Sequence, residues 1–227
     1  MAKLAMMVTI YDCLDTKEAL TGLRLARQAI GRGQLVVLPT DTVYGIAADA
    51  FNPAAVQRLL AAKGRGRQSP PPVLVSGIDT LTALAERTTP EMEKLVDAFW
   101  PGGLTIVVSA RGTLAWDLGD TNGTVAIRMP DHDLTQELLR ETGPLAVSSA
   151  NLTGQPAALT ASEAHEQLGD SVAVYLSAGD SSDSRMGSTI VDATPTLDGK
   201  PARILREGTI ARESIRDVLG EIAEDAS

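Results

Sequence analysis

Residues 35–50 read LVVLPTDTVYGIAADA. LVVLP (35–39) is short, β-branched and closed by proline, the pattern of a buried strand, and IAADA (46–50) is a second extended piece. The loop between them, residues 40–45, crowds two threonines, an aspartate and a tyrosine hydroxyl directly after an apolar strand. Loops at strand ends are where α/β sheets hold ligands. The same residues also suit a local Asx or ST turn, with Asp41 and Thr42 bonding only their own backbone. Either way, two strands joined by a polar loop commit the chain to a sheet.

Upstream, Asp15 followed by Glu18 makes a capping-box-like start, and Leu20, Leu23, Ala26, Ala29 and Ile30 recur at helical spacing before Gly31 and Gly33; a helix is predicted over about 16–31. The opening MAKLAMMVTIYDC reads as a ragged start into a strand. Downstream, Asn52-Pro53 caps a helix, AAVQRLLAA, that delivers Lys63 at its C-terminal end. KGRGRQSPPP then fits neither helix nor strand. VLV (73–75) is extended, 79–86 and 90–99 are helical, and LTIVVSA (104–110) is a strand after the turn Pro101-Gly102-Gly103.

TVAIRMP (124–130), PLAVSS (144–149), VAVYL (172–176), STIVDA (188–193) and ARILR (202–206) are five more strands. Helices intervene at about 133–141 and 161–168, the second opened by Thr160 with Glu163. The alternation predicts a mixed α/β fold, and the run of late strands excludes a simple parallel winding. After Gly208, Ala211, Ile215, Val218, Leu219 and Ile222 recur at spacings of three and four. The organisation expected is one domain, 1–210, with a helical tail, 211–227.

With 227 residues, 44% of them hydrophobic, the chain can bury a single large core. A net charge of −9 argues against nucleic-acid binding by bulk attraction, so any phosphate site must be local. Cys13 is the one cysteine, and His132 and His165 are distant from it and from each other; no metal-ligand spacing is offered, and all three read as surface residues rather than a nucleophile and base. A cytoplasmic location fits a lone thiol. No run approaches the roughly 18–20 apolar residues that a membrane helix needs, so no membrane association is expected.

Three segments could carry chemistry. Lys63-Gly64-Arg65-Gly66-Arg67 sets three cations on a flexible loop, which is either a phosphate clamp or a helix end with favourable charges. SSANLTG (148–154) places hydroxyls and an amide after the buried run PLAV, again as ligand donors or as turn chemistry. Arg128 lies inside an apolar strand and needs an anionic partner, either a substrate carboxylate or a structural acid. No P-loop is present, and GRGRQS lacks the third glycine of GxGxxG.

Taken in order, LPTDTVYG, AAKGRGR, FWPGGLT, TVAIRMP, SSANLTG, STIVD and ILREGTI resemble the YrdC/YciO family over about residues 25–210. The resemblance implies a twisted mixed sheet with helices, curved around a positively lined cavity. It implies a nucleotidyltransferase that makes threonylcarbamoyl-AMP and pyrophosphate from ATP, L-threonine and bicarbonate or CO₂, for threonylcarbamoyladenosine modification of tRNA. Lys63 and Arg65 would be the catalytic cations. ATP would be held by them with Ser69, Thr124, Ser148, Ser149, Asn151, Ser188 and Arg206; Thr42 and Arg128 would hold threonine. Mg²⁺ would come on the ATP phosphates, with no metal site of the protein's own. The downstream partner implied is the tRNA threonylcarbamoyl transferase.

Two departures stand out. The family's clamp commonly reads KGRP and then Asn or Lys, whereas here Arg65 is followed by GRQSPPPVLV, with Ser69 at the Asn/Lys position. The family's strand histidine near Leu74 and Val75 is missing. Arg67 is expected to compensate with an extra phosphate contact. The ending soon after ILREGTI looks like the family's short form. Two alternatives stay open: an RNA-binding module of the same fold, which the acidity and few aromatics disfavour, and a YciO-like paralogue with weak synthase activity.

Overall fold

Asp15 opens helix α1 (Thr16–Gly31) by accepting hydrogen bonds from the N–H groups of Lys17 and Glu18, and Leu23, Ala26, Ala29 and Ile30 are its buried stripe. Glu18 reaches past the cap to the N–H of Asp12 (2.9 Å), fastening the helix to strand β1 (Ile10–Asp12). The structure, a computed structural model, describes residues 9–182 and 184–223. The expected ragged start and the last four residues of the tail lie outside the described residues.

The decisive stretch folds as read, into β2 (Val36–Leu38) and β3 (Gly45–Asp49), paired antiparallel. Its unbroken apolar run has a reason. Val36 and Leu38 pack in the core beneath α1, whereas Val37 packs in the core on the opposite face, so the strand is buried on both sides. Helix α2 (Pro53–Ala62) then starts on the Asn52 side chain, which accepts from the N–H of Ala55, and ends with Lys63 as its C-cap.

The remaining elements are β4 (Val73–Leu74), α3 (Ile78–Leu84), α4 (Pro90–Phe99), β5 (Leu104–Ser109), β6 (Thr124–Arg128), α5 (Asp133–Thr142), β7 (Leu145–Ser149), α6 (Ala161–Leu168), β8 (Val174–Ser177), β9 (Thr189–Asp192), β10 (Ala202–Arg206), α7 (Arg212–Leu219) and β11 (Ile222–Ala223). The strands form one mixed sheet in the order β1-β8-β2-β3-β7-β4-β6-β5-β9-β10-β11. The pairs β1/β8, β2/β8, β4/β6, β5/β9 and β10/β11 are parallel. The pairs β2/β3, β3/β7, β4/β7, β5/β6 and β9/β10 are antiparallel.

Two expectations are corrected. The tail is not one helix: α7 stops at Leu219, Gly220 takes φ +78°, and Ile222 turns back to pair beside Ala202. Its spacing of three and four from Ile215 counted Ile222 as helical, but its apolar side chain is buried as an edge strand instead. The histidines are half-buried rather than on the surface. His165 lies edge-on against Tyr175, with ring centroids 5.1 Å apart, because α6 packs over β8. His132 precedes α5, where burial holds its imidazole below the usual pKa.

Candidate active site

The sheet order brings distant segments to one cavity of about 450 Å³. The loop after β2 contributes Thr42, the loop after α2 contributes Arg65, and the end of β6 contributes Arg128. β7 and the loop after it supply Ser148, Ser149 and Asn151, and the neighbourhood of β9 and β10 supplies Ser188 and Arg206. Eight of the residues expected from the sequence therefore line the same space.

Arg128 has its anionic partner in the protein. Its guanidinium donates to Asp41 (2.6 Å), to the hydroxyl of Thr42 (2.8 Å) and to the carbonyl of Gly102 (2.9 Å). These bonds use three of its five N–H groups and leave two for a ligand. The side chain is 7% exposed, and burial pulls its pKa down while Asp41 opposes that shift. The Asp41 carboxylate also accepts from the N–H of Asp131 (3.0 Å), so the ion pair is held from both sides.

Lys63 is not part of the lining. It sits immediately behind it, buried, with its ammonium donating to the carbonyls of Ser149 and Asn151, the latter at 2.7 Å. Its other bond is to the Asn151 side-chain oxygen, at 3.4 Å. No carboxylate among the described residues pairs with it, and burial and then the charge of Arg65 lower its pKa to about 7. Among the described residues the Arg65 side chain has hydroxyl partners alone, Thr153 at 3.2 Å and Ser148 at 3.3 Å.

Across the cavity, Arg206 donates to the carbonyl of Ser188 (2.7 Å), whose hydroxyl is 2.7 Å from that of Thr105. Partial burial and the charge of Arg65 both push the Arg206 pKa down. Asp41 offsets Arg128, and Glu163, held at about 2 chiefly by its bond from Arg185, offsets Arg185. Among the described residues no carboxylate stands within ion-pair distance of Arg65 or Arg206. In a chain of net charge −9, this recess carries unbalanced positive charge among hydroxyls, an arrangement that binds a polyanion.

The family profile described as "Telomere recombination", that of Sua5, YciO and YrdC, matches residues 28–208. The chain belongs to the Sua5/YciO/YrdC family. A Mycobacterium tuberculosis (strain H37Rv) protein with the provisional name threonylcarbamoyl-AMP synthase is 51% identical over 214 residues, covering 94% of this chain and 96% of its own length. The crystal structure of Pyrococcus abyssi Sua5 complexed with L-threonine superposes with a TM-score of 0.79 at 35% identity, over 88% of this chain and 58% of that one. This chain thus spans less than two thirds of the length of the archaeal protein. Escherichia coli YciO shares the fold, with a TM-score of 0.75 at 18% identity over 85% of this chain and 92% of its own.

Several residues of this Sua5/YciO/YrdC chain stand apart from the expectation. Ser69 and Thr124 are outside the cavity lining: Ser69 bonds through its N–H to Gly66, and the Thr124 hydroxyl donates to the carbonyl of Thr121 (2.8 Å). Arg67, expected at a phosphate, turns away to form a fork with Asp117 at 2.9 and 2.8 Å. Both of that aspartate's oxygens face it, and the attraction fixes the side chain outside.

The lining also holds polar side chains that were not named as site residues, among them Thr40, Tyr44, Thr105, Gln155 and Arg185. Thr40 and Tyr44 belong to the PTDTVYG loop already singled out; the Tyr44 hydroxyl donates to the carbonyl of Gly179 (2.7 Å) and accepts from the N–H of Ala178 (2.9 Å). Thr105 and Arg185 carry no local signal. Their partners, Ser188 for the first and Glu163 with the Ala157 carbonyl for the second, are brought to them by the fold. Among the described residues no three His, Cys, Asp or Glu side chains come together as a metal cage. The donors here are cations, hydroxyls and amides, which suit phosphate oxygens and not a bare metal ion.

Proposed function

We propose that this chain is a threonylcarbamoyl-AMP synthase, a nucleotidyltransferase that joins L-threonine, bicarbonate-derived CO₂ and ATP into threonylcarbamoyl-AMP with release of pyrophosphate. The observation that carries the reading is a pair of guanidiniums, Arg65 and Arg206, with no carboxylate partner among the described residues, lining one cavity with Arg128 and Thr42. The relationship to the mycobacterial relative, 51% identical over nearly its whole length, supports the same activity.

In this reading the threonine α-carboxylate takes the two spare N–H groups of Arg128, and Thr42 orients the amino acid. The threonine amine adds to CO₂, losing a proton, and gives a carbamate. A carbamate oxygen then forms a bond to the α-phosphorus of ATP as the bond from that phosphorus to the pyrophosphate oxygen breaks. No protein nucleophile is needed. The enzyme holds two anions together and neutralises charge that grows on the leaving phosphates. Arg65 and Arg206 meet phosphate oxygens, Ser148, Ser149 and Ser188 donate hydroxyls, and Lys63 with Asn151 shapes the wall behind them. Mg²⁺ enters as part of the MgATP substrate. Thr124 lies four residues before Arg128 on β6 and so shares its face of the sheet; Ser69 is left to the outer end of the clamp loop. The product would pass to the transferase that modifies tRNA.

The test is pyrophosphate release from MgATP and bicarbonate, with and without L-threonine, by the wild type and by Lys63→Ala and Arg65→Ala. Release that needs threonine and bicarbonate and is lost in both variants is expected, with serine a poor substitute and valine a worse one. Release indifferent to threonine would overturn the reading.

A further inference from the structure

The loop that presents Arg65 to the cavity turns on glycines. Gly64 takes φ +65°, Gly66 follows one residue after Arg65, and the two hydroxyl contacts of the Arg65 side chain, at 3.2 and 3.3 Å, are long. Its inner end is set by the last turn of α2, where the N–H of Gly64 donates to Ala61 (3.0 Å) and that of Arg65 to Leu60 (2.8 Å). Its outer end is fastened to a segment fifty residues on in the chain.

There Arg67 forks onto both oxygens of Asp117, with its Nε 3.5 Å from Asp120. The Arg67 carbonyl accepts the N–H of Asp120 at 2.8 Å. The turn is shaped to admit that carbonyl. Gly119 has φ +109°, and a Cβ there would stand 2.5 Å from the Arg67 oxygen. Asp117 also accepts the N–H of Gly119, at 3.1 Å. An isolated exposed ion pair is worth little. Here, however, a bidentate fork, a backbone bond and a side-chain-free turn converge on one residue.

We propose that residues 117–120 form a dock for Arg67 and that this dock sets the position of Arg65 at the nucleotide phosphates. Arg67 is then a positioning residue: two carboxylates already answer its charge, and its effect reaches the ligand through Arg65. The inference rests on the reading of the cavity as an ATP site.

Three variants of the full chain test it: Arg67→Ala, Asp117→Asn and the double Arg67→Ala/Asp117→Asn. Each is read by the KM for ATP, the KM for threonine, and amide hydrogen exchange over residues 64–69. Both single variants are expected to raise the ATP KM by about tenfold, with the threonine KM changed by less than about twofold. Exchange in the loop should quicken in both, and the double variant should be no worse than either single. If Arg67→Ala raises the ATP KM while Asp117→Asn does not, Arg67 touches phosphate itself and the dock is overturned. Unchanged exchange in all three variants overturns it as well. A wild type without threonine-dependent pyrophosphate release would overturn the synthase reading alone, because the exchange data still judge the dock.

Discussion

The ammonium of Lys63 and the backbone carbonyl of Asn151 are 2.7 Å apart, a bond that ties the end of α2 to the loop after β7 and buries a cation with no carboxylate partner among the described residues. Its chemistry follows from that isolation. The folded-state pKa of about 7 lies below the ordinary 10.5. In the window between them the unfolded chain holds a proton that the folded chain releases. Burying Lys63 therefore costs stability in full below about pH 7, and the cost fades as the pH rises toward 10.5.

A bound polyanion favours the charged form, so ATP binding should draw a proton onto Lys63. Calorimetry of MgATP binding near pH 7.5 in buffers of different ionisation enthalpy is expected to give net proton uptake, lost in Lys63→Met. Equal apparent enthalpies in every buffer for the wild type would refute this.

Asp41 is the counter-ion of a guanidinium that is almost wholly buried. Asp41→Ala leaves Arg128 unpaired and should cost about 3 kcal/mol of stability. L-Threonine should then raise the Tm of this variant more than that of the wild type, because its carboxylate replaces the lost one. A Tm equal to the wild type's without threonine would show that the pair holds nothing together.

Arg206 stands in the field of Arg65, and no acid among the described residues offsets it. Arg206→Met should leave the Tm without ATP unchanged or higher. Its MgATP affinity should drop by roughly tenfold to a hundredfold, the worth of a hydrogen bond to a charged group. A variant that binds MgATP as tightly as the wild type would remove Arg206 from the phosphate site.

Gly208 passes so close to residues 187 and 188 that a Cβ would meet the Gly187 carbonyl and come within 2.5 Å of the Ser188 carbonyl carbon. Gly208→Ala should therefore destabilise by about 1–3 kcal/mol. It should also weaken MgATP binding, since Ser188 and Arg206 are bonded to each other across that contact. Urea titration and MgATP binding of this variant test both parts.

What could be read from the sequence is what short-range patterns record. Asn52-Pro53 announced α2 and so placed Lys63 at a helix end, and LVVLP announced a buried strand. Asp41 was legible as a ligand or turn residue, but its pairing with Arg128, 87 positions away, depends on the sheet order. The same holds for Arg67: a cation on a loop looks available until the fold brings Asp117 against it. Strand β11 was hidden because Ile222 continues the helical spacing of the tail; Gly220 was the local sign that the helix had ended. Eight of the cavity's lining residues were indicated by the resemblance, whereas Thr105 and Arg185 act through partners that no neighbouring residue reveals.

The chain has nine more acidic than basic residues, yet among the described residues none answers Arg65 or Arg206 in their shared recess. An approaching nucleotide is thus repelled by most of the exterior and drawn in at one mouth, so the protein's charge acts as a guide before any contact is made. Added salt weakens both influences at once. The on-rate for ATP should consequently respond to ionic strength less than the cavity alone would dictate, and neutralising exterior acids far from the mouth should speed capture without touching the site.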